Sequence, residues 1–190
     1  LGGMIAPLLA PAGTRGIAVF GAGVGRLRDI LLGTARRRAE LVGMTGAALG
    51  VFVASIETVV DRVVVGGAPP ADLYAERPEL AAVASQWYAG DRVFGRVAAF
   101  YRQLEQRDLV SAWREVRVPV LALHGSADWV ASAADTARIA ALAGEAARSA
   151  ELAAVDHFMR LPRDDAPSAL SPALVETLLG WLSERFDVRG

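Results

Sequence analysis

The sequence predicts an α/β fold: an open parallel sheet with helices on both faces. Two observations carry that expectation. Three short apolar runs alternate with segments of helical period, in the order helix, strand, helical block, strand, helix, strand, helix, and this alternation is the grammar of parallel crossover folds. The first run, Ile17 to Phe20, is also short, wholly apolar and bounded by glycines, as expected of a strand buried on both faces. The 190 residues are 53% hydrophobic, enough for one core and too apolar for a disordered chain.

Residues 2–12 read as a helix of small residues closed by Pro11 and Gly13. Ile17 to Phe20 is the first strand. Helical segments are expected over 26–41 and 47–65, then a break at GGAPPAD, then helices over 78–88 and 93–107, the last with Val97, Phe100, Tyr101 and Leu104 on one face. A second strand covers 118–123 and runs into His124-Gly125. Ser132 is placed to cap a helix over 133–143. A third strand covers 150–155 and ends at Asp156-His157. The loop LPRDDAPSALSP, with Asp164 and Asp165 read as solvated, leads to Ser171. That serine caps a final helix over 172–186, with Leu174, Leu178, Leu179, Trp181 and Leu182 inward.

Composition excludes several chemistries. Net charge is −1, from 20 basic and 21 acidic residues, so nothing electrostatic points to nucleic acid or an anionic membrane. The most apolar stretch, 45–60, is interrupted by Glu57 and falls short of the ~20 residues a membrane span needs. There is no Cys and no Lys, which removes thiol nucleophiles, Schiff-base lysines and phosphate-loop lysines. With two His and no clustered carboxylates, no metal site and no cofactor is expected.

Ligands of such sheets sit at the carboxyl ends of the strands. The loops there carry Asp128 (HGSADWV) and His157 (VDHFMRL). Neighbouring parallel strands lie ~5 Å apart, so the two side chains can meet, the Asp fixing the tautomer of the His while the other ring nitrogen accepts a proton. A surface His and a helix-capping Asp is the plainer alternative. Asp156 is a second candidate acid. His124 reads as a structural histidine of the HG turn, with a catalytic role as its alternative, and Ser126 as a residue that turns the acid's loop. Ser55, Ser85 and Ser111 fall in helical segments. Trp129, beside Asp128, is the best candidate for lining a pocket, ahead of Trp87, Tyr88, Phe100 and Tyr101, for which core packing is the default.

The stretches VPVLALHGSADWVASAADTARIA and VDHFMRL, with the amphipathic C-terminal helix, resemble the acid loop, histidine loop and ending of the α/β-hydrolase superfamily. The block RVAAFYRQLEQRDLVSAWREVRVPVLALHG resembles its prolyl-oligopeptidase-like and esterase branches. The resemblance implies a serine hydrolase, with Asp128 as the triad acid and His157 as the base. Its strands would be strands 6–8 of that fold. Residues 1–24 and 118–190 would be hydrolase core and 25–117 an inserted helical cap. LGGMIAPLLA resembles the residues just after the nucleophile of a G-x-S-x-G elbow. The resemblance therefore implies a C-terminal portion, with the serine immediately before Leu1 and the Leu1 N–H in the oxyanion hole. Gly2 would be the motif's last glycine, small because the elbow is crowded.

The chain contains no G-x-S-x-G of its own, so alone it is expected to be inactive. The expected substrate is a small-molecule ester or a peptide. A non-catalytic truncated or decayed domain is the competing reading. A nucleotide-binding domain is a third, through GAGVG at Gly21 to Gly25, although Arg26 stands where the dinucleotide fingerprint needs its third glycine.

Overall fold

A computed structural model describes residues 2–9, 13–85, 88–89, 92–93, 95–161 and 169–186. The chain begins with a short helix α1 (Gly2–Ile5) that tightens into a 3-10 turn (Ala6–Leu8), then β1 (Ile17–Phe20), α2 (Leu27–Leu41) and α3 (Gly46–Val59). A π-helical turn (Val60–Val65) follows, with α4 (Pro70–Glu76), α5 (Glu79–Ala84), three two-residue strands β2 (Tyr88–Ala89), β3 (Arg92–Val93) and β4 (Arg96–Val97), and α6 (Ala98–Glu105). The remainder is α7 (Leu109–Glu115), β5 (Val120–Gly125), α8 (Ala133–Ala143), β6 (Ala147–Leu152), a small pair β7 (Arg160–Leu161) and β8 (Ala169–Leu170), and α9 (Pro172–Phe186).

The chain divides into two compact units, one of Leu1–Val24 with Leu109–Gly190 and one of Gly25–Asp108. The first is α/β. Its sheet has the order β1-β5-β6, all parallel, with Ile17 opposite Val120 and Val120 opposite Ala147. Every residue of β5 is buried, because successive side chains enter different cores. Val120 and Ala122 pack with Ile17, Val19, Trp113 and Ile139. Leu121 and Leu123 pack with Leu152, Leu174 and Trp181. Helices α7 and α8 thus serve one core and α9 the other. The α8 cap forms as expected: Ser132 Oγ accepts from the Asp135 N–H at 3.1 Å and donates to its carboxylate at 2.8 Å. Ser171 Oγ likewise accepts from the Leu174 N–H.

The second unit is helical apart from the β2-β3-β4 meander. Val59, Val63, Leu73, Leu80 and Ala84 form a core within it. Arg28 bonds Asp61 and Glu57, and Glu105 accepts from the Arg28 N–H at 2.9 Å, satisfying a free donor at the start of α2.

Several expectations are corrected. The helix over 93–107 is only α6; 92–93 and 96–97 pair as strands, because Gly95 takes φ +77° and closes a tight turn between them. Val97 is consequently exposed. The helix over 47–65 ends at Val59 in its α form; among the described residues of 78–88 only α5 (Glu79–Ala84) is helical and Tyr88 belongs to β2, while α4 begins at Pro70, inside the expected break. The third strand lies three residues earlier than 150–155, since β6 follows the register of β5. Leu179 on α9 is exposed rather than inward. Helix α7 belongs with the first unit, because Trp113 is fully buried in the core beside β1 and β5. Pro11 and Trp87 lie outside the described residues.

Candidate active site

The acid and histidine loops are tied together by backbone before any side chain acts. Gly125 ends β5 where a Cβ would fall 2.1 Å from the Val155 carbonyl oxygen, so only a glycine lets the two loops close on each other. The Ser126 N–H donates to Leu152 O at 2.9 Å, the Ala127 N–H to Val155 O at 3.1 Å, and Ser126 Oγ accepts from the Ala154 N–H at 2.8 Å. Ser126 thus does more than turn its own loop: it fastens the acid loop to the residue at which the histidine loop reverses, Ala154 at φ +57°.

The fastening brings Asp128 Oδ2 to 2.9 Å from His157 Nδ1. The Asp128 side chain is fully buried, while a quarter of the His157 side chain is exposed. Asp128 Oδ1 accepts from the N–H groups of Val130 (2.7 Å) and Ala131 (3.0 Å). Burial opposes ionisation of this carboxyl, but the His157 hydrogen bond and the two backbone donors outweigh it and hold the carboxyl below the ordinary Asp range. The carboxylate therefore receives the Nδ1–H of His157. That fixes the ring so that Nε2, on its far side, is the basic nitrogen.

Asp156 does not compete for this role. Its Oδ1 accepts from the Phe158 and Arg160 N–H groups, both at 2.9 Å, and shapes the histidine loop. His124 is buried, and its Nδ1 has no hydrogen-bond partner among the described residues. Trp129 is half-buried at the position after Asp128, and Tyr101 is buried within the second unit. Gly2 has open space around it, and Gly3 is the crowded glycine, against Ala22. Leu1, Asp164 and Asp165 lie outside the described residues.

Sequence reasoning missed Gly21 as a site residue. It directly follows β1, and a Cβ there would fall 2.5 Å from Asp128 Oδ2. Its local sequence carries no sign of the role, because the side chains it makes room for lie more than a hundred residues along the chain.

No family model and no curated protein matches the chain. Solved structures do. Among them are the esterase RhEst1 from Rhodococcus sp. ECU1013 (18% identity over 96% of this chain and 62% of that one, TM-score 0.47), and an E-2-(acetamidomethylene)succinate hydrolase (19%, 98% and 62%, TM-score 0.44). A third is Rv0554 from Mycobacterium tuberculosis (15%, 99% and 63%, TM-score 0.44). The chain spans less than two thirds of the length of these structures. At such identities and scores the likeness assigns no reaction to this chain.

Proposed function

We propose that the chain is the C-terminal part of a serine hydrolase of the α/β-hydrolase fold, acting on an ester or amide bond by acyl transfer. The observation that carries the reading is the Asp128–His157 hydrogen bond, 2.9 Å long, between loops at the carboxyl ends of adjacent parallel strands. Its support is chemical. A buried, depressed carboxylate bonded to Nδ1 leaves Nε2 as a general base, and that arrangement serves the activation of a hydroxyl.

In the proposed cycle the serine before Leu1 attacks the carbonyl carbon as His157 Nε2 takes its proton. The Leu1 N–H supplies one donor to the oxyanion. Collapse breaks the bond to the leaving group, which receives that proton from His157. Water, deprotonated by the same nitrogen, then attacks the acyl carbon; the bond to the serine oxygen breaks, that oxygen takes the proton back from His157, and the acid leaves. Asp128 orients His157 and stabilises its cation without taking the proton. Trp129 lines the acyl side.

Turnover of p-nitrophenyl acetate tests the proposal. The native gene product is expected to hydrolyse it, and His157→Gln to lower kcat by at least about 10³-fold. The 190 residues alone are expected to give none. An unchanged rate in His157→Gln would exclude the proposed base.

A further inference from the structure

The GAGVG loop is the one motif of the sequence that the proposed reaction leaves without a part. Its first glycine is pinned, because the Gly21 N–H donates to Leu123 O at 2.9 Å and so continues the ladder between β1 and β5. Its φ is +54°, in the left-handed region. A Cβ there would fall 2.5 Å from Asp128 Oδ2, 2.9 Å from His157 Nδ1 and 3.2 Å from His157 Cε1. The first two are the atoms that share the acid–histidine hydrogen bond. We propose that Gly21 is a positioning residue of the site: its bare Cα leaves the space in which Asp128 and His157 meet, and the end of β1 forms the floor against which the pair is held.

How each partner yields to a side chain at position 21 follows from their anchoring. Asp128 is fully buried and tied by two backbone N–H groups. His157 is partly exposed, and its Nδ1 contact to Asp128 is the attachment a wedge would break. Gly21→Ala is therefore expected to turn Asp128 Oδ2 aside about the anchored Oδ1 and to swing the imidazole away. Gly25 differs: it also has positive φ, but a Cβ there meets nothing within 4 Å.

The catalytic consequence rests on the hydrolase reading; the geometry does not. The test is nitrogen NMR of the native gene product labelled with ¹⁵N-histidine, with His157→Gln assigning the signal. In the unsubstituted protein His157 is expected as the Nδ1-protonated tautomer, with that proton held by Asp128. Gly21→Ala is expected to lose that signature and about 10²-fold in kcat on p-nitrophenyl acetate, with KM little changed. Gly21→Asn separates space from backbone strain, since asparagine tolerates left-handed φ but still carries a Cβ. It is expected to fare no better than alanine.

Retention of the Nδ1–H signal in Gly21→Ala, or its recovery in Gly21→Asn, would overturn the proposal. Should Gly21→Ala fold poorly, thermal melting in an Asp128→Ala background decides instead. The drop in Tm from Gly21→Ala is expected to shrink once the nearest clashing atom is gone, and an equal drop in both backgrounds would refute the wedge. Absence of esterase turnover in the native protein would remove the hydrolase reading and leave the NMR result to decide the role of Gly21 by itself.

Discussion

Asp128→Asn in the native gene product is expected to slow reaction of its nucleophile with a fluorophosphonate by about 10⁴-fold. The structure supplies the reason. Asp128 Oδ1 accepts from the Val130 and Ala131 N–H groups at 2.7 and 3.0 Å. In the asparagine those donors keep the remaining carbonyl oxygen, so the amide NH₂ is the group that faces His157 Nδ1. A donor then meets a donor. The imidazole relieves this by moving its proton to Nε2, the nitrogen required to be the base. The fold is expected to survive, because the bonds that hold the acid's loop are retained. Measured labelling rates for the two proteins decide the matter, and a difference below about tenfold would mean that Asp128 does not set the tautomer.

Trp113→Ala is expected to produce the largest loss of stability, about 3–5 kcal/mol, read by urea denaturation of the native gene product. Trp113 lies on α7, is fully buried, and packs with Ile17 and Val19 of β1, Val120 and Ala122 of β5 and Ile139 of α8. It therefore joins two strands and two helices, and no single element can shift to fill the space it leaves. Its indole Nε1 has no hydrogen-bond partner among the described residues, so Trp113→Phe forfeits no polar contact shown there and is expected to lose less than half as much. Equal losses for Ala and Phe would mean that the indole nitrogen, and not the packing volume, carries the stability.

The parts of the fold that were legible in the sequence are those whose signals are local. Strand β5 is an uninterrupted apolar run ending in His124-Gly125. Helices α8 and α9 open on the caps Ser132 and Ser171. What escaped depends on pairing at a distance. Strand β6 carries Arg148, Ser149 and Glu151 and so lacks an apolar run; its span is set by residue-for-residue register with β5. The segment 92–97 has helical periodicity, and the single turn at Gly95 overrides it. The sequence puts the second boundary between the units at 117/118, whereas the second stretch of the first unit begins with α7 at Leu109, because a lone tryptophan does not announce which core it enters. In the site, Asp128 and His157 were legible as side chains at strand ends. Gly21 was not, because its role lies in the absence of a side chain against partners more than a hundred residues away.

His157, oriented by Asp128, is proposed to serve a serine immediately before Leu1. Fluorophosphonate labelling of the native gene product, with the labelled peptide located by mass spectrometry, tests it most directly. One label is expected, on that serine, lost in His157→Gln. Label on Ser126 or any other serine within these 190 residues, or no label at all, would contradict it.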